Sequence, residues 1–411
     1  MSEWKKVKLR EVCSKIGSGA TPKGGAMVYI DYGTSLIRSQ NVYNLFFEYD
    51  GLSHITENAA EKLKSVTILP NDILLNITGD SVARTCIVPN NVLPARVNQH
   101  VAIIRPKDSI LNSKFLVYYL ASPSMQAHML NLAVGKGASR NAITKAMIEN
   151  FEVPCPSIYT QQRIAEILSR YDSLIENYQK QIKLLEESAQ RLYKEWFIDL
   201  RFPGHENTKI VDGVPEGWEK KKIGDVCILV AAGSTPSRRN NNYWEGGTIK
   251  WVKTKELQDG WIFDTEEYIT QDGYENASTK LYPPNTILMA IYASPTLGRL
   301  GILASKCCCN QAALGLVVNK EIVSWQWLFW KLFELRDEFN AIARGAGQQN
   351  ISGIVVKEKE IIVPTKYTID QFTGITSKLF DKQKKLQSQI HLLTEARDRL
   401  LPKLMSGEIA I

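Results

Sequence analysis

The most regular pattern of apolar and polar positions lies in the middle of the chain. Ile164, Leu168, Tyr171, Ile175, Tyr178, Ile182, Leu185, Ala189, Leu192 and Trp196 recur at alternating spacings of four and three, the a/d repeat of a coiled-coil seam. This predicts a helix over about 161–197, on the order of 55 Å long and well beyond the mean globular helix. A second helix is expected over about 369–403, where Phe372, Ile375, Leu379, Leu386, Ile390, Leu393, Leu400 and Leu404 are apolar but Lys382 and Gln389 interrupt the seam. Outside these stretches the pattern is shorter. Apolar, β-rich runs at 73–77, 101–104, 286–291 and 314–318 are punctuated by Gly, Pro and Asn, which reads as strands and turns. Helical spacing returns over 114–132 and 325–343.

These elements occur twice because the chain repeats itself. An offset of 214 residues places Trp4 on Trp218 and holds without a gap through Val12-Cys13 on Val226-Cys227 to Gly19-Ala20-Thr21-Pro22 on Gly233-Ser234-Thr235-Pro236. Further matches pair Leu36-Ile37-Arg38-Ser39 with Trp251-Val252-Lys253-Thr254, Pro70-Asn71-Asp72-Ile73-Leu74 with Pro284-Asn285-Thr286-Ile287-Leu288, and Asn98-Gln99 with Asn310-Gln311. Val153-Pro154 matches Val363-Pro364, and Leu184-Leu185-x-Glu187-x3-Arg191-Leu192 matches Leu392-Leu393-x-Glu395-x3-Arg399-Leu400. The expected class is α+β: two mixed α/β domains separated by two long helices, which pair as an antiparallel intramolecular coiled coil with pseudo-two-fold symmetry. The boundaries are 1–160 for the first domain, 161–200 for its helix, 201–368 for a linker and the second domain, and 369–411 for the second helix.

Composition narrows the function without deciding it. With 411 residues, 44% hydrophobic and 23% charged, the chain is long enough for more than one cored domain. A formal charge of +7 permits a polyanionic partner. No stretch has signal-peptide or membrane-span character, so a cytoplasmic protein without a membrane partner is expected. The seven cysteines, three of them consecutive at 307–309, form no Cys-x-x-Cys pair, and the five histidines lack ligand spacing. They read as structural thiols and ordinary histidines, with no metal site. Gly19 to Gly25 lacks the Lys-Ser/Thr of a phosphate loop. An adenine methyltransferase tetrapeptide and a Pro-Asp nuclease motif are also absent.

Several segments together resemble the specificity subunits of type I restriction-modification systems. They are Gln161-Gln162-Arg163-Ile164-Ala165-Glu166-Ile167-Leu168, Leu192-Tyr193-Lys194-Glu195-Trp196-Phe197 with Arg201-Phe202-Pro203-Gly204, Val214-Pro215-Glu216-Gly217-Trp218, and Leu400-Leu401-Pro402-Lys403-Leu404-Met405-Ser406-Gly407-Glu408-Ile409. The second repeat departs from the pattern, with Asp370-Gln371-Phe372-Thr373 where the first has Gln161-Gln162-Arg163-Ile164. The resemblance implies a non-catalytic subunit with two target-recognition domains, each reading one half of a bipartite, asymmetric site in double-stranded DNA. It further implies helices that hold the domains apart and dock methyltransferase (modification) subunits, with restriction/motor subunits joining the complex. S-adenosylmethionine, ATP and Mg would belong to those partners, and no cofactor to this chain.

For DNA reading, polar and basic residues in turn-rich segments are the candidates, since Arg and Lys suit guanine and phosphate, and Asn and Gln suit adenine. They are Arg38, Gln40, Asn41, Arg84, Lys136, Arg140 and Asn141 in the first domain. In the second they are Arg238, Arg239, Lys253, Lys255, Arg299, Arg344, Gln348, Gln349 and Asn350. Trp196 and Phe197 close the first helix, where they could anchor a partner subunit or pack the domain junction. Two other readings stay open: a self-contained restriction or methylation enzyme, and a coiled-coil scaffold with no nucleic-acid role.

Overall fold

The computed structural model describes residues 4–134, 142–292, 296–345, 350–409 and 411. These fall into two compact units, one of residues 1–176 with 392–411 and one of residues 177–391.

In the first unit a four-stranded sheet runs Cys13–Ser18, Val101–Pro106, Ile73–Asn76, Thr85–Ile87, antiparallel throughout. Its central strands have no polar alternation because both faces are covered. Ile73, Leu75, Ala102 and Ile104 face a cluster with Phe115, Leu116, Leu120, Met125 and Met129 from the helices Ser113–Ala121 and Pro123–Ala133. The alternate residues Leu74, Val101 and Ile103 pack on Leu36, Ile37, Ile55 and Val97, which belong to a smaller sheet of Ala95–Val97, Thr34–Ile37, Ser53–Ile55 and Tyr29–Ile30. The helical pattern over 114–132 is thus two helices, broken where Pro123 takes the first position of the second.

The second unit repeats the plan. Cys227–Ala232, Ala313–Val318, Ile287–Ala290 and Leu300–Leu303 take the same order, with Gly260–Ile262 added in parallel at the edge. The helices Trp325–Glu334 and Arg336–Gly345 cover one face. Cys13 and Cys227 open equivalent strands, each at a register irregularity against its neighbour. Cys13 is buried and Cys227 half-buried.

Two helices of 40 residues, Ile158–Phe197 and Lys366–Met405, follow the sheets. All ten apolar seam residues of the first are buried or half-buried, while Leu174 and Leu184, off the seam, are exposed. Gln161 pins its start: fully buried, it donates to Ile110 O and Pro156 O and accepts from Asn112 N–H. Within the first unit Ile164, Ala165 and Leu168 share a core with Leu401, Leu404 and Met405, and Asp172 accepts from both Tyr118 and Arg397. Within the second, Gln383 Nε2 donates to Glu186 at 2.7 Å, and Tyr193, Trp196 and Phe197 meet Phe372. The second helix departs from its expected stripe. Ile375 is exposed, whereas Thr376, Phe380 and Gln383 are buried, because Thr376 satisfies its hydroxyl on Phe372 O and Gln383 finds Glu186.

Candidate nucleic-acid interface

After the strand Thr34–Ile37 the chain makes a short 3-10 turn, Ser39–Asn41. Asn41 is fully buried; its Oδ1 accepts the Arg38 N–H at 3.0 Å and its Nδ2 donates to Glu48 O and Asp50 O. With both ends of its carboxamide used, Asn41 shapes the loop. The loop presents Arg38, half-buried with Nη2 2.8 Å from Gly51 O, and exposed Gln40, 3.1 Å from the same oxygen. Arg38 Nε is buried without a partner. Arg84, half-buried, lies 4.4 Å over the Tyr43 ring.

The second domain builds the same turn as Thr254–Glu256 after Ile249–Val252, with the Lys253 N–H accepted by Glu256 Oε2 at 2.6 Å. Lys253 therefore occupies the place of Arg38. Its surroundings differ: Lys253 Nζ lies 2.7 Å from Glu267 and 3.1 Å from Glu266, Lys255 pairs with Glu266, and Arg238 pairs with Glu267 while stacking 3.6 Å over Trp244. The hydrogen bond it donates to Glu267 raises the Lys253 ammonium pKa. Burial works against ionisation of Glu267, but hydrogen bonds from Lys253 and Arg238 hold its carboxyl below the usual range. Hydrogen bonds from Lys255 and Lys253 hold Glu266 low as well. Three candidate cations are thus brought together around two carboxylates. Glu266-Glu267 was missed by sequence reasoning, although adjacent acids flanking a strand that pairs with Trp251 are a usable signal.

Arg239 is exposed on the Arg238 loop and Arg299 is half-buried. Asn350 is exposed and bridges to Tyr292, as Ala142 bridges to Thr78 in the first domain. Lys136, Arg140, Asn141, Gln348 and Gln349 lie outside the described residues, as does the side chain of Arg344.

Trp196 and Phe197, the expected partner-binding residues, pack against aromatic rings of the second unit. Trp196 is 7% exposed, and the two rings join a cluster with Tyr193, Phe372, Trp218 and Trp327 that packs the end of the helix into the second domain's core. Among the described residues no helix is long and apolar enough to cross a membrane.

A family model described as the type I restriction modification DNA specificity domain matches residues 1–187 and 215–394. The type I restriction enzyme MjaIX specificity subunit of Methanocaldococcus jannaschii is 27% identical over 419 residues, covering 100% of this chain and 94% of that protein. The HindI specificity subunit of Haemophilus influenzae is 23% identical over 479 residues, covering 100% of both chains. Among solved structures, a type I restriction-modification S subunit from M. genitalium has the same fold, with a TM-score of 0.59, 16% identity and coverage of 98% of this chain and 96% of that one.

Proposed function

The chain belongs to the type I restriction modification DNA specificity family, and from that premise we propose that it is the DNA-reading subunit of a restriction-modification complex, each domain reading one half of a bipartite, asymmetric site. One observation supports this most directly. Two domains built on one hydrogen-bonded frame carry different chemistry at equivalent places, Arg38 on a carbonyl in the first and Lys253 among carboxylates in the second. Equal frames dock on duplex DNA in equivalent ways, while unequal side chains select unequal bases.

The two 40-residue helices would pair antiparallel, separate the domains and dock the methyltransferase subunits. Supporting this, Asp172 meets Arg397 in one unit and Glu186 meets Gln383 in the other. The chain itself would bind no cofactor; S-adenosylmethionine serves the modification subunits, and ATP and Mg the restriction/motor subunits, all in the cytoplasm. The test is methylome sequencing of a host carrying the subunit with its modification partners. Inserting four residues after Leu185 lengthens that helix by about 6 Å and turns it by about 40° beyond a full turn. One base pair adds about 3.4 Å and roughly 34°. Rotation favours one added base pair and length two. Because a domain turned off the groove loses its base contacts while a small gap is absorbed by smooth bending, the insertion should retain both half-site sequences and add one base pair to the spacer, with two as the second choice. Turnover of DNA by the isolated chain would favour a self-contained enzyme, and loss of all DNA binding a scaffold.

A further inference from the structure

In each domain one arginine sits between two peptide groups that are gripped by side chains from elsewhere in the fold. In the first, Gln126 Nε2 donates to Ala83 O at 2.9 Å and the Thr85 N–H donates to Asn44 Oδ1 at 3.1 Å, with Asn44 Nδ2 3.3 Å from Gln126 Oε1. The residue between is Arg84. In the second, Arg336 Nε donates to Gly298 O at 2.8 Å and the Leu300 N–H donates to Asp259 Oδ1 at 2.9 Å, with Arg336 Nη1 3.1 Å from Asp259 Oδ2. Arg299 lies between these.

The surrounding backbone is the same in both. Asn76 N–H donates to Arg84 O and Ala290 N–H to Arg299 O; Leu45 N–H donates to Thr85 O and Asp259 N–H to Leu300 O. Leu45 and Asp259 share a left-handed φ of 60° and 61°. Asn44 acts from the position before Leu45, whereas Asp259 acts from the equivalent of Leu45 itself. An amide pair and an ion pair thus grip the same two peptides.

A grip on both flanking peptides fixes the direction in which the arginine leaves the backbone. Bidentate recognition of a base edge needs that fixed geometry, whereas a phosphate contact tolerates a mobile cation. Among the described residues Arg105, Arg238 and Arg336 pair with Asp72, Glu267 and Asp259, and Arg201 of the linker with Glu195 and Asp199, whereas no carboxylate pairs with Arg84 or Arg299. The Tyr43 ring further restricts Arg84.

We propose that Arg84 and Arg299 are equivalent base-reading residues, one for each half-site, and that Asn44–Gln126 and Asp259–Arg336 are their positioning pairs. The proposal rests on the DNA-reading function above. The experiment uses the full complex with modification subunits and reads the methylated sequences together with the thermal midpoint. Arg84→Lys relaxes one base position in one half-site and Arg299→Lys one in the other, each losing about 5- to 150-fold in discrimination. Arg336→Gln alone relaxes the same position as Arg299→Lys. Adding Asp259→Asn, which installs the amide pair of the first domain, restores discrimination there. Uniform weakening at all sequences, the signature of a phosphate contact, would overturn the proposal. So would relaxation of different positions by Arg299→Lys and Arg336→Gln, or a lowered midpoint in Arg336→Gln with every base position still discriminated. If the unaltered complex methylates no bipartite site, the DNA-reading function fails and the proposal with it.

Discussion

Gly19 and Gly233 should be the two costliest single methyl additions in their domains, and by similar amounts. A Cβ on Gly19 would stand 2.1 Å from Val97 O, 2.3 Å from Asn98 O and 2.4 Å from Val97 C; on Gly233 it would stand 1.9 Å from Cys309 O and 2.4 Å from Cys309 C. Optimal heavy-atom contact is about 3.5 Å or more, so the overlap exceeds about 1 Å, and it falls on backbone that cannot swing aside. The strand must lift, which breaks the bonds from Gly19 N–H to Val101 O and Ala20 N–H to Val97 O, or from Gly233 N–H to Ala313 O and Ser234 N–H to Cys309 O. Each donor left unpaired within the sheet costs about 1–3 kcal/mol, so two of them with residual strain give about 3–6 kcal/mol. That is a large part of the roughly 5–15 kcal/mol that holds a domain folded. Denaturant titration followed by tryptophan fluorescence separates the domains, because eight of the nine tryptophans lie beyond residue 195. Gly233→Ala should shift that transition strongly and Gly19→Ala weakly, with Gly19→Ala showing its loss by circular dichroism. Gly17→Ala is the control, since nothing lies within 4 Å of its Cβ. A cost below about 1 kcal/mol at either tight glycine would refute the close-approach argument.

Trp196→Ala should lower stability by about 3–5 kcal/mol, the range for deleting a buried aromatic, seen as a lower denaturation midpoint of the tryptophan-rich domain. An unchanged midpoint would mean that the ring is dispensable to the core. Asp172→Asn weakens a carboxylate that serves both Tyr118 and Arg397; a loss of about 1–3 kcal/mol is expected, and a double-mutant cycle with Arg397→Gln should return a coupling of about 1 kcal/mol or more. Additive effects would break the link. Burial pushes the thiols of Cys13, Cys86 and Cys227 up to about 12. Their folded pKa values exceed the unfolded one, so they contribute stability below about pH 9 that is lost as pH rises toward 12. Thermal midpoints should therefore fall between pH 8 and pH 10.5, and less steeply in the triple Cys→Ala variant. Equal slopes for the two proteins would exclude the thiols as the cause.

The sequence by itself determined what depends on period and on neighbours along the chain. The four-three spacing from Ile164 to Trp196 dictated which side of the first helix is covered, and the duplicated Val-Cys and Gly-x-Thr-Pro segments dictated that two sheets share one strand order. Uninterrupted runs such as Ile73–Leu75 announced strands covered on both faces, for the same local reason. What only the tertiary structure decided are pairings between residues far apart in the chain. Gln383 is buried and Ile375 exposed because Glu186, 197 residues away, supplies the partner. Asn41 turned inward because Glu48 and Asp50 offer carbonyls, and Trp196 and Phe197 packed on Phe372, 175 or more residues further along the chain. The arginine clamps are the sharpest case. Their partners are 82 residues apart in one domain and 77 in the other, and an amide pair in the first is an ion pair in the second. No identity links the two, because the folded backbone repeats the position of the peptide to be gripped, and either chemistry can grip it.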